Sequence, residues 1–382
     1  MRDYTNDALG AHKAMGGKIE ITPKRKLETT DDWSIMYTPG VGAVARHIAE
    51  HPEAAREYTI QKNTIAVVSN GTAVLGLGNI GPAAALPVME GKAAIFKDRA
   101  GVDAFPIVLD TTDPDEVVRA VELIAPGFGG INLEDIKAPE CFEIERRLKA
   151  SLTIPVMHDD QHGTAIVVLA GLVNAARVVE KNLHDMQVVI VGAGAAGRAI
   201  ALLLVMAGVQ DVTVLDSRGI IALGRDGVTG YKEELANITN PRKLSGDAFV
   251  ALDGADAVIG VSGPESIRAE HIKVMAEKPI VFALANPTPE IFPDDVRAAG
   301  AAVVATGRSD FPNQINNSLV FPGIFRGALD AQVTDITDDM KLAAAHALAA
   351  LVEDPTAEKI IPTNNDERVV DAVAGAVKNL GR

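Results

Sequence analysis

The sequence predicts an α/β protein in two domains, the second built on a doubly wound parallel sheet. Three observations carry this. At 382 residues the chain has the length of about two domains at the usual ~100–200 residues each. Short β-branched runs alternate with longer helical patterns, which is how a parallel sheet covered by helices reads. Finally, one such run leads directly into a Gly-x-Gly-x-x-Gly turn and an Ala/Leu-rich stretch.

Composition narrows the partners. The 36 basic and 51 acidic residues give a net charge of −15, which argues against a general grip on nucleic acid or anionic lipid. Aromatic residues are 4% of the chain, too few for a base-stacking platform. The longest apolar runs, 165–173 and 199–209, contain glycine and fall short of the ~18–20 residues that span a bilayer. The start, MRDYTNDALGAHK, has no apolar stretch after its charges, so a cytoplasmic chain is expected. The single cysteine, Cys141, excludes an internal disulfide and a thiolate zinc site, leaving oxygen or imidazole ligands for any metal.

In chain order, strands are expected at 64–68, 93–96, 106–109, 130–133 and 154–158. Between the last two, 138–150 reads as a helix with Pro139 in its first turn and Cys141, Ile144 and Leu148 on one face. This is a βαβ unit, in which residues just past the two strand ends become neighbours. A long apolar helix over 163–180 is expected to join the domains, followed by a polar break at 182–186. Strands at 188–191, 212–215, 257–261, 280–284 and 302–305 then form the second sheet. The chain beyond Phe321-Pro322-Gly323 is Ala-rich and helical to about 352, with a charged helix at 367–380. The division expected is 1–162, 163–330 and a helical tail, 331–382, packed back on the first domain.

The glycine turn has the right context on both sides. Val188-Val189-Ile190-Val191 precedes Gly192-Ala193-Gly194-Ala195-Ala196-Gly197. Gly192 allows the tight turn, Gly194 close approach to a pyrophosphate, and Gly197 close helix–strand packing, with the helix N-terminus facing the phosphates. This is a Rossmann-type NAD(P)-binding fingerprint. Asp216 ends the next strand 24 residues after Gly192, close to the ~20 expected of a carboxylate that accepts from ribose hydroxyls. It favours NAD, whereas Ser217 and Arg218 beside it leave NADP open. Gly260–Gly263 and Ala285-Asn286-Pro287 end later strands, where the nicotinamide would lie, although turn chemistry alone also explains them.

The βαβ unit brings two acidic pairs together, Glu134-Asp135 and Asp159-Asp160. Clustered carboxylates repel unless neutralised, and three oxygen donors with room for substrate suit Mg²⁺ or Mn²⁺. Helix caps and solvated loop ends are the plain alternative. His158 and His162, spaced i, i+4, read as structural or supporting groups rather than a zinc pair, because the interval crosses a strand end. Tyr37, in a Tyr-Thr-Pro-Gly turn, and Lys92, before the run 93–96, are ordinary packing and strand-start residues on local grounds. A buried lysine beside a dication would nonetheless have its proton affinity lowered.

Taken together, the motifs resemble the malic enzyme family in its short prokaryotic form. Those motifs are Tyr37-Thr38-Pro39-Gly40-Val41, the stretch 71–81, Glu90-Gly91-Lys92, Asn132-Leu133-Glu134-Asp135-Ile136, His158-Asp159-Asp160-Gln161-His162-Gly163-Thr164, the Gly192 turn and Asn316-Asn317 before Phe321-Pro322-Gly323. The resemblance implies oxidative decarboxylation of L-malate to pyruvate and CO₂ with NAD or NADP and Mg²⁺ or Mn²⁺, by a homodimer. It makes Tyr37 the general acid, Lys92 the general base, and Glu134, Asp135 and Asp160 the metal ligands. It sets Asn286 and Asn317 against substrate or nicotinamide. Ala73 stands where large eukaryotic relatives carry a carboxylate-binding arginine, and Asn79 where they carry aspartate. A chain ending at Arg382 is expected to lack the phosphotransacetylase-like extension of some bacterial relatives.

Overall fold

The computed structural model describes residues 4–381; residues 1–3, which open the amino-terminal stretch, and Arg382 lie outside the described residues. The first sheet has four parallel strands, β1 (Thr64–Ser69), β2 (Asp103–Val108), β3 (Gly130–Leu133) and β4 (Val156–His158), in the order β2-β1-β3-β4. Every residue of β1, β3 and β4 is buried, as expected of parallel strands covered on both faces. Leu133 pairs with His158, so Glu134 and Asp159 leave the sheet side by side.

The second sheet contains β5 (Gln187–Val191), β6 (Asp211–Asp216), β7 (Gly219–Ile220), β8 (Ala257–Gly260), β9 (Ile280–Ala283) and β10 (Val303–Thr306). Its order is β10-β9-β8-β5-β6-β7, parallel except for the short edge strand β7. The chain leaves β5 toward β6 on one side and later returns to β8 on the other. That reversal is the topological switch point at which such sheets bind ligands.

One expected strand is corrected. Residues 93–96 lie inside the helix Pro82–Ala100, whose buried residues Ala85, Met89, Lys92, Ala93 and Phe96 recur at helical, not strand, spacing. Lys92 is therefore a buried helix residue and not an exposed strand start. Boundaries also move. The helix expected at 138–150 is Glu140–Ser151, with Pro139 just before it. The helix expected at 163–180 is Asp159–Val178, so it runs through residue 163 and takes in Asp159 and Asp160 as its first turn.

That helix lies deep in the protein, with Ala165–Leu172 wholly buried. The main core is continuous across both sheets, from Ile65 and Val67 of β1 to Val188 and Ile190 of β5. The C-terminal helices Phe321–Ala331, Asp338–Ala350 and Arg368–Leu380 close it. Phe321 and Phe325 pack on Phe96 with ring centroids 4.6 and 5.6 Å apart. Among the described residues no helix is long and apolar enough to cross a membrane.

Candidate active site

The ends of β3 and β4 build the acidic centre. Glu134, Asp135 and Asp160 each offer a carboxylate oxygen, all within 4.8 Å of one another. Asp135 sits in the left-handed region, φ +53°, a conformation that costs a non-glycine residue ~1–3 kcal/mol and gathers at functional sites. Its backbone N–H donates to Asp160 Oδ2 at 2.8 Å, and its carbonyl accepts from the Ala73 N–H at 3.0 Å. One carboxylate oxygen, Asp135 Oδ2, is buried without a partner. Burial first, and then mutual repulsion among the three, raises the proton affinity of Asp135; burial likewise raises Glu134 and Asp160, with Lys92 opposing. An oxygen donor set of this kind, with Glu134 and Asp135 buried and Asp160 partly open, fits a hard divalent cation such as Mg²⁺ or Mn²⁺.

Lys92 reaches the same centre from the helix Pro82–Ala100. Its Nζ lies 2.6 Å from Glu134 Oε1 and 2.5 Å from Asp159 Oδ2, and 4.2 Å from the centre of the Phe321 ring. Burial alone would lower its proton affinity, yet Asp159, Glu134 and Asp160 outweigh burial and hold the ammonium above the ordinary lysine range. Asp159 is fully enclosed and pushed up to about 7 by burial, against the pull of Lys92. The structure thus divides the Asp159-Asp160 pair: neighbours on a helix point ~100° apart, so Asp160 joins the acidic centre while Asp159 faces the lysine. Gly163, one turn on, leaves room for it, since a Cβ there would meet Asp159 Oδ1 at 1.8 Å.

A cavity of about 820 Å³ joins this centre to the second sheet, and its wall includes Lys92, Asp135, Asp160, Gly194, Asn286 and Asn317. The loop after β1 closes tightly on the second half: a Cβ at Gly76 would meet the Asn286 carbonyl at 2.2 Å. The glycine turn is built as its spacing requires. A Cβ at Gly192 (φ +122°) would strike the Val261 carbonyl at 2.5 Å, and one at Gly197 the Gly192 carbonyl at 1.9 Å, whereas at Gly194 it would meet nothing within 4 Å. Gly192 and Gly197 serve the turn and the helix contact; Gly194 leaves its backbone open to a ligand. Ala193 and Gly194 also border a second cavity of about 830 Å³, which continues to Asp216, while Ala195 and Ala196 line the first.

Tyr37 is not brought to Lys92 within the chain. It follows the helix Thr30–Met36, does not line the cavity, and is 64% exposed. Around it Trp33, Ile35, Met36 and Val41 are exposed as well. Ala73 does line the cavity, and the cations on its wall besides Lys92 are Lys18 and Lys137. Asn79 is exposed and its side chain accepts from the Gly81 N–H at 3.3 Å.

Glu145, a buried residue of the helix Glu140–Ser151, has no signal in the sequence beyond its place on the Cys141-Ile144-Leu148 face. Its carboxylate accepts from the His158 N–H at 2.9 Å and Gln161 Nε2 at 3.1 Å, and meets His162 Nε2 at 2.9 Å. Burial would raise it, but His162 and His158 hold it down at about 2. His162 through its ring and His158 through its backbone N–H thereby frame the turn that carries Asp159 and Asp160. His158 is fully buried, and burial pushes it down to about 4.

The chain matches known proteins over nearly its whole length. Residues 16–149 match the family described as malic enzyme, N-terminal domain, and residues 161–379 that described as malic enzyme, NAD binding domain. The chain is 55% identical to the NAD-dependent malic enzyme of Geobacillus stearothermophilus, covering 95% of this chain and 76% of that one. It is 53% identical to the bifunctional malic/malolactic enzyme of Bacillus subtilis, covering 97% and 91%. In three dimensions it is similar to the NAD-dependent malic enzyme of Thermotoga maritima, with a TM-score of 0.94 at 49% identity over 97% of this chain and 99% of that one. Acidic centre, buried lysine and glycine turn thus occur together in a chain that belongs to the malic enzyme family.

Proposed function

We propose that the chain converts L-malate to pyruvate and CO₂ with reduction of NAD⁺ or NADP⁺, and that the reaction requires Mg²⁺ or Mn²⁺ held by Glu134, Asp135 and Asp160. The observation that carries this reading is Lys92, an ammonium enclosed between that acidic centre and Asp159, on a cavity that also reaches Gly194. When bound, the cation supplies Lewis acidity to a 2-hydroxy acid and charge stabilisation to the enolate of decarboxylation, and the dinucleotide accepts hydride.

The chain's own residues handle protons and position. A cation held by Glu134 and Asp160 would offset part of the negative charge that holds the Lys92 proton. Asp159 Oδ2, 2.5 Å away, is placed to receive that proton, and neutral Lys92 can then take the proton of the malate hydroxyl. Asn286 and Asn317, which line the same cavity, orient substrate or nicotinamide. The reading makes Tyr37 the acid that protonates C3 of the enolate. Since Tyr37 lies outside its own cavity and among exposed apolar side chains, the proposed homodimer would deliver it to the second copy's site. A cytoplasmic location suits a chain whose one cysteine, Cys141, is buried and unpaired.

The test is an assay with L-malate and Mn²⁺, run with NAD⁺ and with NADP⁺, following reduced nicotinamide and pyruvate. Metal-dependent formation of both supports the reading; no turnover in metal-loaded protein, or full turnover in rigorously metal-free protein, sinks it. The Bacillus subtilis relative's name favours a second outcome, net conversion of malate to lactate. Lactate without accumulating reduced nicotinamide would identify it.

A further inference from the structure

The adenosine end of the dinucleotide site holds more positive charge than a ribose-binding carboxylate calls for. Asp216 closes β6 where a carboxylate ordinarily accepts from ribose hydroxyls, but its acceptor positions are taken. Oδ1 accepts from the Arg218 backbone N–H and Arg225 Nη1, each at 2.9 Å; Oδ2 accepts from Arg225 Nη2 at 2.6 Å and Lys232 Nζ at 2.7 Å. An ionised carboxylate offers about four lone-pair sites. A ribose diol would therefore have to break a charge-assisted bond to use this one.

Asp216 works here as an anchor. Its side chain is 7% exposed, whereas those of Arg225 and Lys232 keep 21% and 25% of their surface open. Arg218 contributes a third cation to the same cavity wall. Its side chain is exposed, passes over Gly227, and has no acidic partner among the described residues. The other carboxylate on this wall, Asp247, is occupied in capping the helix Ala248–Leu252. Three cations against two carboxylates leave a positive excess, with the hydroxyls of Ser217 and Ser245 beside it. A phosphate monoester brings about −1.5 to −2 charges and three acceptor oxygens. A ribose hydroxyl brings no charge at all.

We infer that this pocket selects the 2′-phosphate of NADP, with Arg218 and Lys232 as specificity-determining residues and Arg225 as a cation fixed in place by Asp216. The inference rests on the dinucleotide reading above and deepens it by naming the cofactor. Arg225 and Lys232 lie 9 and 16 residues beyond Asp216, which is why the strand-end carboxylate by itself points to NAD.

Isothermal titration calorimetry of the full chain with NADP⁺, NAD⁺, 2′,5′-ADP and 5′-AMP tests it. NADP⁺ is expected to bind at least ~10-fold more tightly than NAD⁺, and 2′,5′-ADP more tightly than 5′-AMP by a similar factor. Arg218→Ser and Lys232→Gln should each lower the NADP⁺ to NAD⁺ affinity ratio by ~5–10-fold. Equal or tighter binding of NAD⁺, or variants that weaken both nucleotides alike, overturns the inference. Malate turnover without a 2′-phosphate preference would overturn the inference alone. A 2′-phosphate preference without malate turnover would overturn the proposed function alone.

Discussion

Lys92 Nζ lies 2.5 Å from Asp159 Oδ2, and this contact ties the middle of the helix Pro82–Ala100 to the first residue of the helix Asp159–Val178. If Lys92 is the base, Lys92→Ala should lower kcat by ~10²–10⁴-fold in a folded protein. Asp159→Asn removes an anion that holds the lysine proton, so the surviving activity should show its acidic limb shifted to lower pH. A pH profile of kcat/KM reads this directly. An unmoved limb would count against the coupling.

Asp135→Asn should remove one of three carboxylates that repel each other in metal-free protein. Thermal unfolding after exhaustive chelation should therefore give a Tm equal to or above wild type. Adding Mn²⁺ should raise the wild-type Tm by several degrees and the variant's much less. A variant that is less stable without metal, yet gains as much from Mn²⁺, would remove Asp135 from the ligand set.

Two inactive variants should restore one another if Tyr37 serves the second copy. Unfolding and refolding an equimolar mixture of Tyr37→Phe and Lys92→Ala chains gives about half mixed dimers, each with one intact site, so activity should recover to about a quarter of wild type. Recovery near zero, with mixed dimers demonstrated by mass, would place Tyr37 and Lys92 in the same chain's site.

Glu145→Gln should destabilise the fold at neutral pH by about 2–4 kcal/mol, because His158, Gln161 and His162 lose a buried carboxylate. The folded carboxylate titrates at about 2, below the ordinary value of 4.5. Its contribution is therefore complete above the unfolded value and lost as pH falls through about 2. Urea titrations should show wild type and variant converging as pH drops below about 4.5, and a gap that does not narrow would rule out the charge as its source.

What the sequence reveals depends on how local the cause is. Glu134, Asp135 and Asp160 are legible because a βαβ crossover forces the ends of its two strands together. The glycine turn is legible because strand, turn and helix are contiguous. Residues 93–96 mislead because four apolar residues fit a strand and a helix alike, and only the wider spacing from Ala85 to Phe96 decides. The roles of Asp159 and Glu145 are set by contacts 67 and 13 residues away, which no local pattern encodes. Tyr37 carries a strong motif, yet its surroundings in the chain are solvent and other apolar side chains. Its motif alone does not say what its hydroxyl meets.

The helix Asp159–Val178 has a consequence for engineering. Twenty residues at 1.5 Å rise make a rod about 30 Å long. Its first turn carries Asp159 and Asp160, and further along Asn174 donates to the Ala349 and Ile360 carbonyls of the C-terminal region. The two family matches stop at residue 149 and resume at 161, so the gap between them takes in the first two residues of this rod. A chimaera that borrows a relative's nucleotide half from residue 163 onward would splice the rod itself, joining a foreign shaft to the native first turn. A graft that starts at residue 159 keeps the shaft whole but imports the relative's counterparts of Asp159 and Asp160 with its cofactor pocket. The cofactor pocket and one of the three carboxylates of the acidic centre are then exchanged as one cassette.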